Sequence, residues 1–343
     1  MKILLATNDA TFNVSLAAAY RSTRHELHVG TAELALKQAE FDTIHLHWPE
    51  ELVAWTTPPN PHFARHALEL LDWWRERSQL VCTVHNLVPH ASGPHDEASR
   101  HFYGQFYARM HRIGHFSHSS LEAVKAKYPE SRTAEHVVHG MNLFEDLRQH
   151  SVGRAAARSA LGIAEGTFAV ATLGAIRSWR ELALLAAATS RTGIRNLRVL
   201  HRARGGISSH PLKRFVQNLQ LRRWRSRAQV DSAPGFLTDA QMTHLVEAAD
   251  AVFVPRLKNE LNSGIPPLAM TFGTPIVAPD CGVFRETLLR EANGLYAVGD
   301  PSEAARELER VARMDAAGAR SANLAHTAGW GWASAIHRLI PGL

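Results

Sequence analysis

Short apolar runs alternate with amphipathic stretches along the 343 residues. In the first half, runs near 2–6, 43–47, 80–84 and 113–117 predict buried strands. Between the second and third, Phe63, Ala67, Leu70, Leu71 and Trp74 recur at a 3.6-residue spacing. That spacing predicts a helix with one face on a sheet, and Pro58 to Pro61 breaks the chain just before it. In the second half, strands are predicted near 168–173, 197–201, 251–254, 275–278 and 294–297. Asp300-Pro301-Ser302-Glu303 marks a helix start, with an Asp cap, Pro at the first position and a Glu that reaches back. Strand and helix alternate in both halves, which predicts an α/β protein with parallel sheets. No internal repeat interrupts the pattern.

A chain of this length exceeds one comfortable core, so two domains are expected. The boundary is expected within 141–166, where a helical stretch near 154–161 and Gly162 to Gly166 lead into a new first strand. The working division is 1–145, 166–327 and a final segment 328–343, in which Trp330-Gly331-Trp332 precedes a short amphipathic helix.

Composition adds compartment and charge. With 45% hydrophobic and 20% charged residues the chain reads as globular. No apolar run reaches the length of a membrane span, and Met1 to Ala6 reads as a first strand rather than a signal peptide. Cys82 and Cys281 lie in or beside predicted strands as inert core residues, so a reducing, cytoplasmic compartment is expected. Through residue 140 there are 13 Lys/Arg against 15 Asp/Glu, and from 141 onward 25 against 17. A basic second half suits a diphosphate, and an anionic membrane surface would be served too. The densest patch, Arg204 to Arg227, reads first as a solvated helix face, with lipid headgroup contact left open. It carries no aromatic stacking pattern and no nucleic-acid motif, so nucleic acid is not an expected partner.

Candidate chemistry gathers at strand ends. His45 and His47 alternate with Ile44 and Leu46 and so emerge on one side of a strand, with Trp48-Pro49-Glu50 where it ends. The next strand ends in His85-Asn86. Ligands of open parallel sheets bind beyond the carboxyl ends of the strands, so these residues define a candidate reaction cleft. His85, His90, His95 and Asp96 are too loosely spaced to predict a metal site. A Gly-x-Ser-x-Gly elbow is missing, and Thr7-Asn8-Asp9-Ala10 stands where a dehydrogenase carries its glycine fingerprint. In the second half, Asn262-Ser263-Gly264 precedes a short helix, then a Gly273-Thr274-Pro275 turn and a buried strand. Asn262 or Ser263 is expected to cap that helix, leaving backbone N–H groups for an anion.

Those residues carry a resemblance. The stretch 262–286 resembles the donor-binding segment of GT-B glycosyltransferases, with Glu260 at the first of two usual acidic positions and Leu268 at the second. His45-Leu46-His47-Trp48-Pro49-Glu50, Thr83-Val84-His85-Asn86-Leu87-Val88-Pro89-His90 and Gly174-Ala175-Ile176-Arg177-Ser178-Trp179-Arg180 are similar to a narrower group, the bacterial exopolysaccharide β-mannosyltransferases of the GumI type. The resemblance implies a GT-B fold, two Rossmann-like domains with parallel sheets facing an interdomain cleft, the last helix returning to the N-terminal, acceptor-binding domain. It implies a hexosyltransferase using GDP-mannose with inversion, and a polyprenyl-linked or saccharide acceptor in cell-surface polysaccharide or glycolipid synthesis. A nucleotide sugar would be the substrate, with no obligatory metal or other cofactor. The protein would be cytoplasmic, with peripheral contact at the inner face of the plasma membrane. Arg177, Arg180, Glu260, Asn262, Ser263 and Gly264 would bind the donor. Arg180 stands where Lys is usual, a planar fork for a point charge. His45, His47 and Trp48 would meet the acceptor. Glu50 is the first choice for the general base and Asp96 the second, with His85 a donor-sugar or diphosphate contact. A retaining transferase of UDP-sugars and a non-catalytic partner subunit remain open, the latter because of Leu268.

Overall fold

The computed structural model describes residues 1–8, 10–37, 39–89, 96–205, 210–227, 229–232, 237–258 and 261–343. The chain divides into a first unit, 1–142 with 330–343, and a second, 143–329.

The first unit is built on six parallel strands: β1 (Lys2–Ala6), β2 (Glu26–Val29), β3 (Thr43–Leu46), β4 (Gln79–Thr83), β5 (Arg112–His115) and β6 (Glu135–Val138). Their order is β2-β1-β3-β4-β5-β6, so the winding reverses between β1 and β3. The central strands are apolar on both faces, as Ile3, Leu4, Leu5, Ile44, Leu80 and Val81 show by their complete burial. Continuous apolar runs of this kind are what a parallel sheet covered by helices on both sides requires. The helix Pro61–Arg75 starts with Asn60, whose side chain accepts from the His62 N–H at 2.9 Å. It buries Ala67, Leu70, Leu71 and Trp74, while Phe63, expected on the same face, is exposed, so packing begins one turn later. The final helix, Trp332–Leu339, belongs to this unit and packs on β5 and on the helix Ala10–Arg21. Residue 114 must be small beneath it, since a Cβ on Gly114 would lie 2.9 Å from both Leu339 Cδ1 and His139 Cδ2.

The second unit also has six parallel strands: β7 (Phe168–Ile176), β8 (Leu197–Gly205), β9 (Val230–Ser232), β10 (Ala251–Phe253), β11 (Ile276–Pro279) and β12 (Gly294–Tyr296). The order β12-β11-β10-β7-β8-β9 is the 3-2-1-4-5-6 arrangement of dinucleotide-binding folds, with its reversal between β7 and β10. Residues 146–165, which lay between the two predicted domains, belong here, as do 143–145. Asp250 ties them in: it pairs with Arg154 and Arg158 and accepts the Ala169 N–H at 2.7 Å. Neither Cys82 nor Cys281 is in a disulfide, and burial pushes the Cys82 thiol well up. No helix among the described residues is long and apolar enough to cross a membrane.

Candidate functional site

The reversal between β7 and β10 leaves a crevice at the carboxyl ends of the strands in the second unit. β7 ends at Ile176, and Ser178 caps the helix Trp179–Arg191, its Oγ accepting from the Glu181 N–H at 3.3 Å. Arg177 before the cap and Arg180 in the first turn are both exposed. Glu181 is buried instead. Its Oε2 accepts from the Arg177 N–H at 2.6 Å and meets the buried guanidinium of Arg256 at 3.1 Å. Arg256 also donates to the Ala175 carbonyl at 2.7 Å, so one interior ion pair fastens the loop after β10 to the loop after β7. Arg180 has no ion-pair partner among the described residues. A cation in the first turn opposes the helix dipole, whereas an anion there is favoured. Glu181 supplies a carboxylate in the same turn, and the two exposed arginines leave positive charge at the surface there.

Gly174, at φ +83°, brings the end of β7 against the helix Ile265–Thr271; a Cβ there would stand 3.6 Å from Ile265 Cδ1. The Arg177 and Ser263 motifs thus meet in one region of this unit. The start of the helix differs from expectation. Gly264 occupies the cap position, with no side-chain cap, and Ser263 Oγ accepts only a long 3.4 Å bond from the Ile265 N–H. Pro266 and Pro267 carry no N–H, and the Leu268 N–H bonds to Gly264 O, so the expected row of donors is largely absent. Asn262 is half-buried beside Ser263. Leu268 is buried, as is every residue of this helix. Glu260 lies outside the described residues, as do His90 and His95.

In the first unit, β3 to β6 deliver His47, His85, Phe116 and His139 just past their carboxyl ends. With Trp332 these rings close a circuit of contacts: His47–His85 5.2 Å, His85–Phe116 5.5 Å, Phe116–His139 5.0 Å, His139–Trp332 5.8 Å and Trp332–His47 6.0 Å between centroids. Burial keeps the imidazoles neutral, lowering His47 well below the usual range, His85 to about 3 and His139 to about 4. His47 Nδ1 and His85 Nε2 share a proton-mediated bond at 2.9 Å. His139 Nδ1 donates to Gly140 O at 2.8 Å, which fixes its tautomer. Outside the circuit, Trp48 stacks on half-buried His85 at 4.3 Å, and exposed Trp55 lies 6.3 Å from Trp48. Ala54 and Trp55 both adopt positive φ, 54° and 58°, a costly pair for non-glycine residues.

Several expected roles are corrected here. His45 and His47 do share one side of β3, but that side is covered. His45 is fully buried, bonded to Tyr20 Oη at 2.8 Å and Thr83 Oγ1 at 2.9 Å, so it has no surface to offer an acceptor. His47 is buried too, leaving Trp48 and His85 as the accessible members of that motif. Glu50, expected to face an acceptor groove, is 3% exposed and lies close to Tyr103, whose phenol is raised first by burial and then by the Glu50 charge. Asp96 is a helix cap, Oδ1 accepting the Ser99 N–H at 2.9 Å and Oδ2 the Ser99 hydroxyl at 2.5 Å. Among the described residues no group of three or more His, Cys, Asp or Glu could hold a metal ion. Residues that sequence reasoning passed over are Glu181, Arg256, His139, Trp55 and Glu51. Glu51 binds Thr7 Oγ1 at 2.8 Å and the Asn8 N–H at 3.1 Å, securing the loop after β1. Of these, only Trp55 had a signal of its own, a large apolar residue before a proline-rich break.

Neither a protein-family model nor a curated protein matches the sequence. Solved structures do match. Sucrose-phosphate synthase from Thermosynechococcus elongatus is similar at a TM-score of 0.71 and 15% identity, over 98% of this chain and 97% of its own. HepE of Anabaena, in complex with UDP and glucose, is similar at 0.67 and 16%, over 99% and 95%. Trehalose 6-phosphate synthase from Burkholderia multivorans is similar at 0.63 and 14%, over 94% and 72%. At these identities the likeness speaks for the fold, two Rossmann-like units with parallel six-stranded sheets, and that fold is GT-B.

Proposed function

We propose that the chain is a glycosyltransferase that moves a hexose from a nucleotide diphosphate to a lipid-linked or saccharide hydroxyl. The observation that carries this reading is the exposed pair Arg177 and Arg180 at the strand-order reversal of the second unit. Transfer breaks the bond between the sugar carbon and the diphosphate oxygen, and negative charge grows on the departing diphosphate. Two guanidiniums beside a helix start answer that charge without a covalent protein intermediate. The buried Glu181–Arg256 pair would hold both loops in register while this happens. On the first unit, Trp48 stacked on His85, with Trp55 tilted beside it, offers aromatic surface suited to the apolar face of a sugar ring.

GDP-mannose, with inversion, is the donor that the sequence resemblance favours, and a lipid-linked saccharide of cell-surface polysaccharide synthesis is the acceptor. A second reading, a UDP-sugar donor, has support from HepE, solved with UDP and glucose. The test is release of nucleoside diphosphate from GDP-, UDP-, dTDP- and ADP-sugars, with and without a polyprenyl-linked saccharide. We expect one base to dominate and the acceptor to accelerate release. Thermal stabilisation by a donor without any turnover would make the chain a non-catalytic partner subunit, in keeping with Leu268 at the second acidic position.

A further inference from the structure

The helix Pro211–Arg227 in the second unit is apolar on two opposite sides. Gln217, Leu221 and Trp224 form its inward face, and the Trp224 Nε1 donates to Thr189 Oγ1 at 2.9 Å. On the other side Leu212, Phe215, Val216 and Leu219 are between 46% and 74% exposed. Their spacing of i, i+3, i+4 and i+7 puts all four on one stripe, roughly opposite the packed face. Four large apolar side chains together in water are unusual for a monomer, and they mark an interaction surface.

The charge around the stripe says what kind of surface. Over 211–227 the sequence holds six Lys/Arg and not one Asp or Glu. Lys213 and Arg214 flank the stripe at one end, and Arg222 and Arg223 at the other, all exposed. A second copy of the chain docked face to face would bring these like charges together. An anionic bilayer would accept both parts at once, the apolar side chains below the headgroups and the cations among them. We propose that this outward face docks the second unit onto an anionic phospholipid surface. The inference goes beyond the reaction proposed above and does not depend on it.

The test is flotation of the full chain with vesicles of phosphatidylcholine alone or mixed with phosphatidylglycerol. The chain should float with the mixed vesicles, not the neutral ones, and added salt should release it. Leu212→Ser with Phe215→Ser should weaken binding at least about ten-fold, because the stripe's exposed anchors are gone. Arg222→Gln with Arg223→Gln should weaken it too and flatten the salt dependence. Unchanged melting temperatures would show that these exposed substitutions leave the fold intact. Equal binding to neutral vesicles, or binding unaffected by either double variant, would overturn the proposal. So would a concentration-dependent dimer that Leu212→Ser with Phe215→Ser dissolves, in a chain that floats with no vesicle.

Discussion

Glu50 shows how far burial governs a side chain's work. Its carboxylate is enclosed beside Tyr103, and its charge also bears on Tyr107 and Tyr128. Glu50→Gln should therefore lower unfolding free energy by about 1–3 kcal/mol, the cost of disturbing an enclosed polar group, as read by urea denaturation. Loss of turnover with unchanged stability would instead return Glu50 to the role of general base. The sequence did reveal that His45 and His47 share one side of a strand, because a period of two is local. It could not reveal what covers that side, since Tyr20 stands 25 residues before His45 and Thr83 38 after. Arg256 and Glu181 are 75 residues apart, and no spacing rule connects them. Asp96 was the more legible case: Asp, two residues, Ser just before an apolar helix is a capping pattern, and capping is what it does.

Among elements, the central strands were readable, and of the four edge strands only β12 was. β2, β6 and β9 escaped prediction, and each is an edge strand of its sheet. β2 and β6 are largely half-exposed, so neither carries the continuous apolar run that betrays a buried strand. The start of the helix Ile265–Thr271 was legible in part. Pro266 and Pro267 announced a helix N-terminus and, by lacking N–H groups, also removed donors from it. Just after that helix, Gly273 sits at φ +68°, where a Cβ would come within 2.6 Å of Arg320 O. Gly273→Ala should accordingly cost more than ~1 kcal/mol in thermal unfolding, and a neutral outcome would mean the turn can shift. The ion pair joining the β7 and β10 loops makes a stronger demand. Glu181→Gln leaves the Arg256 charge buried without its partner carboxylate and should destabilise the second unit by about 3–5 kcal/mol. A fully stable variant would show that the two loops are held by other contacts.

At the scale of the whole molecule, the two units should respond differently to acid. The buried histidines among the described residues, His45, His47, His115 and His139, all belong to the first unit. Burial lowers His45 to about 3, His115 to about 2 and His139 to about 4, and His47 well down. Unfolded, each titrates near 6.5, so below that pH the unfolded chain binds protons that the folded unit refuses. Stability is complete above about pH 6.5 and falls toward the folded values, by up to about 1.4 kcal/mol per pH unit for each such group. Hydrogen exchange at pH 7.5 and 5.5 should show the first unit losing protection well before the second; equal losses would contradict this. The central claim concerns the other unit, where the exposed arginine pair at the strand-order reversal is proposed to receive the donor diphosphate. Its most direct test is calorimetric titration of wild type, Arg177→Ala and Arg180→Ala with the preferred nucleoside diphosphate and with its nucleoside. Each variant should lose ~1.5–3 kcal/mol of diphosphate binding, about ten- to hundred-fold in affinity, and much less for the nucleoside. Folded variants that bind the diphosphate as tightly as wild type, or lose nucleoside and diphosphate equally, would contradict the account.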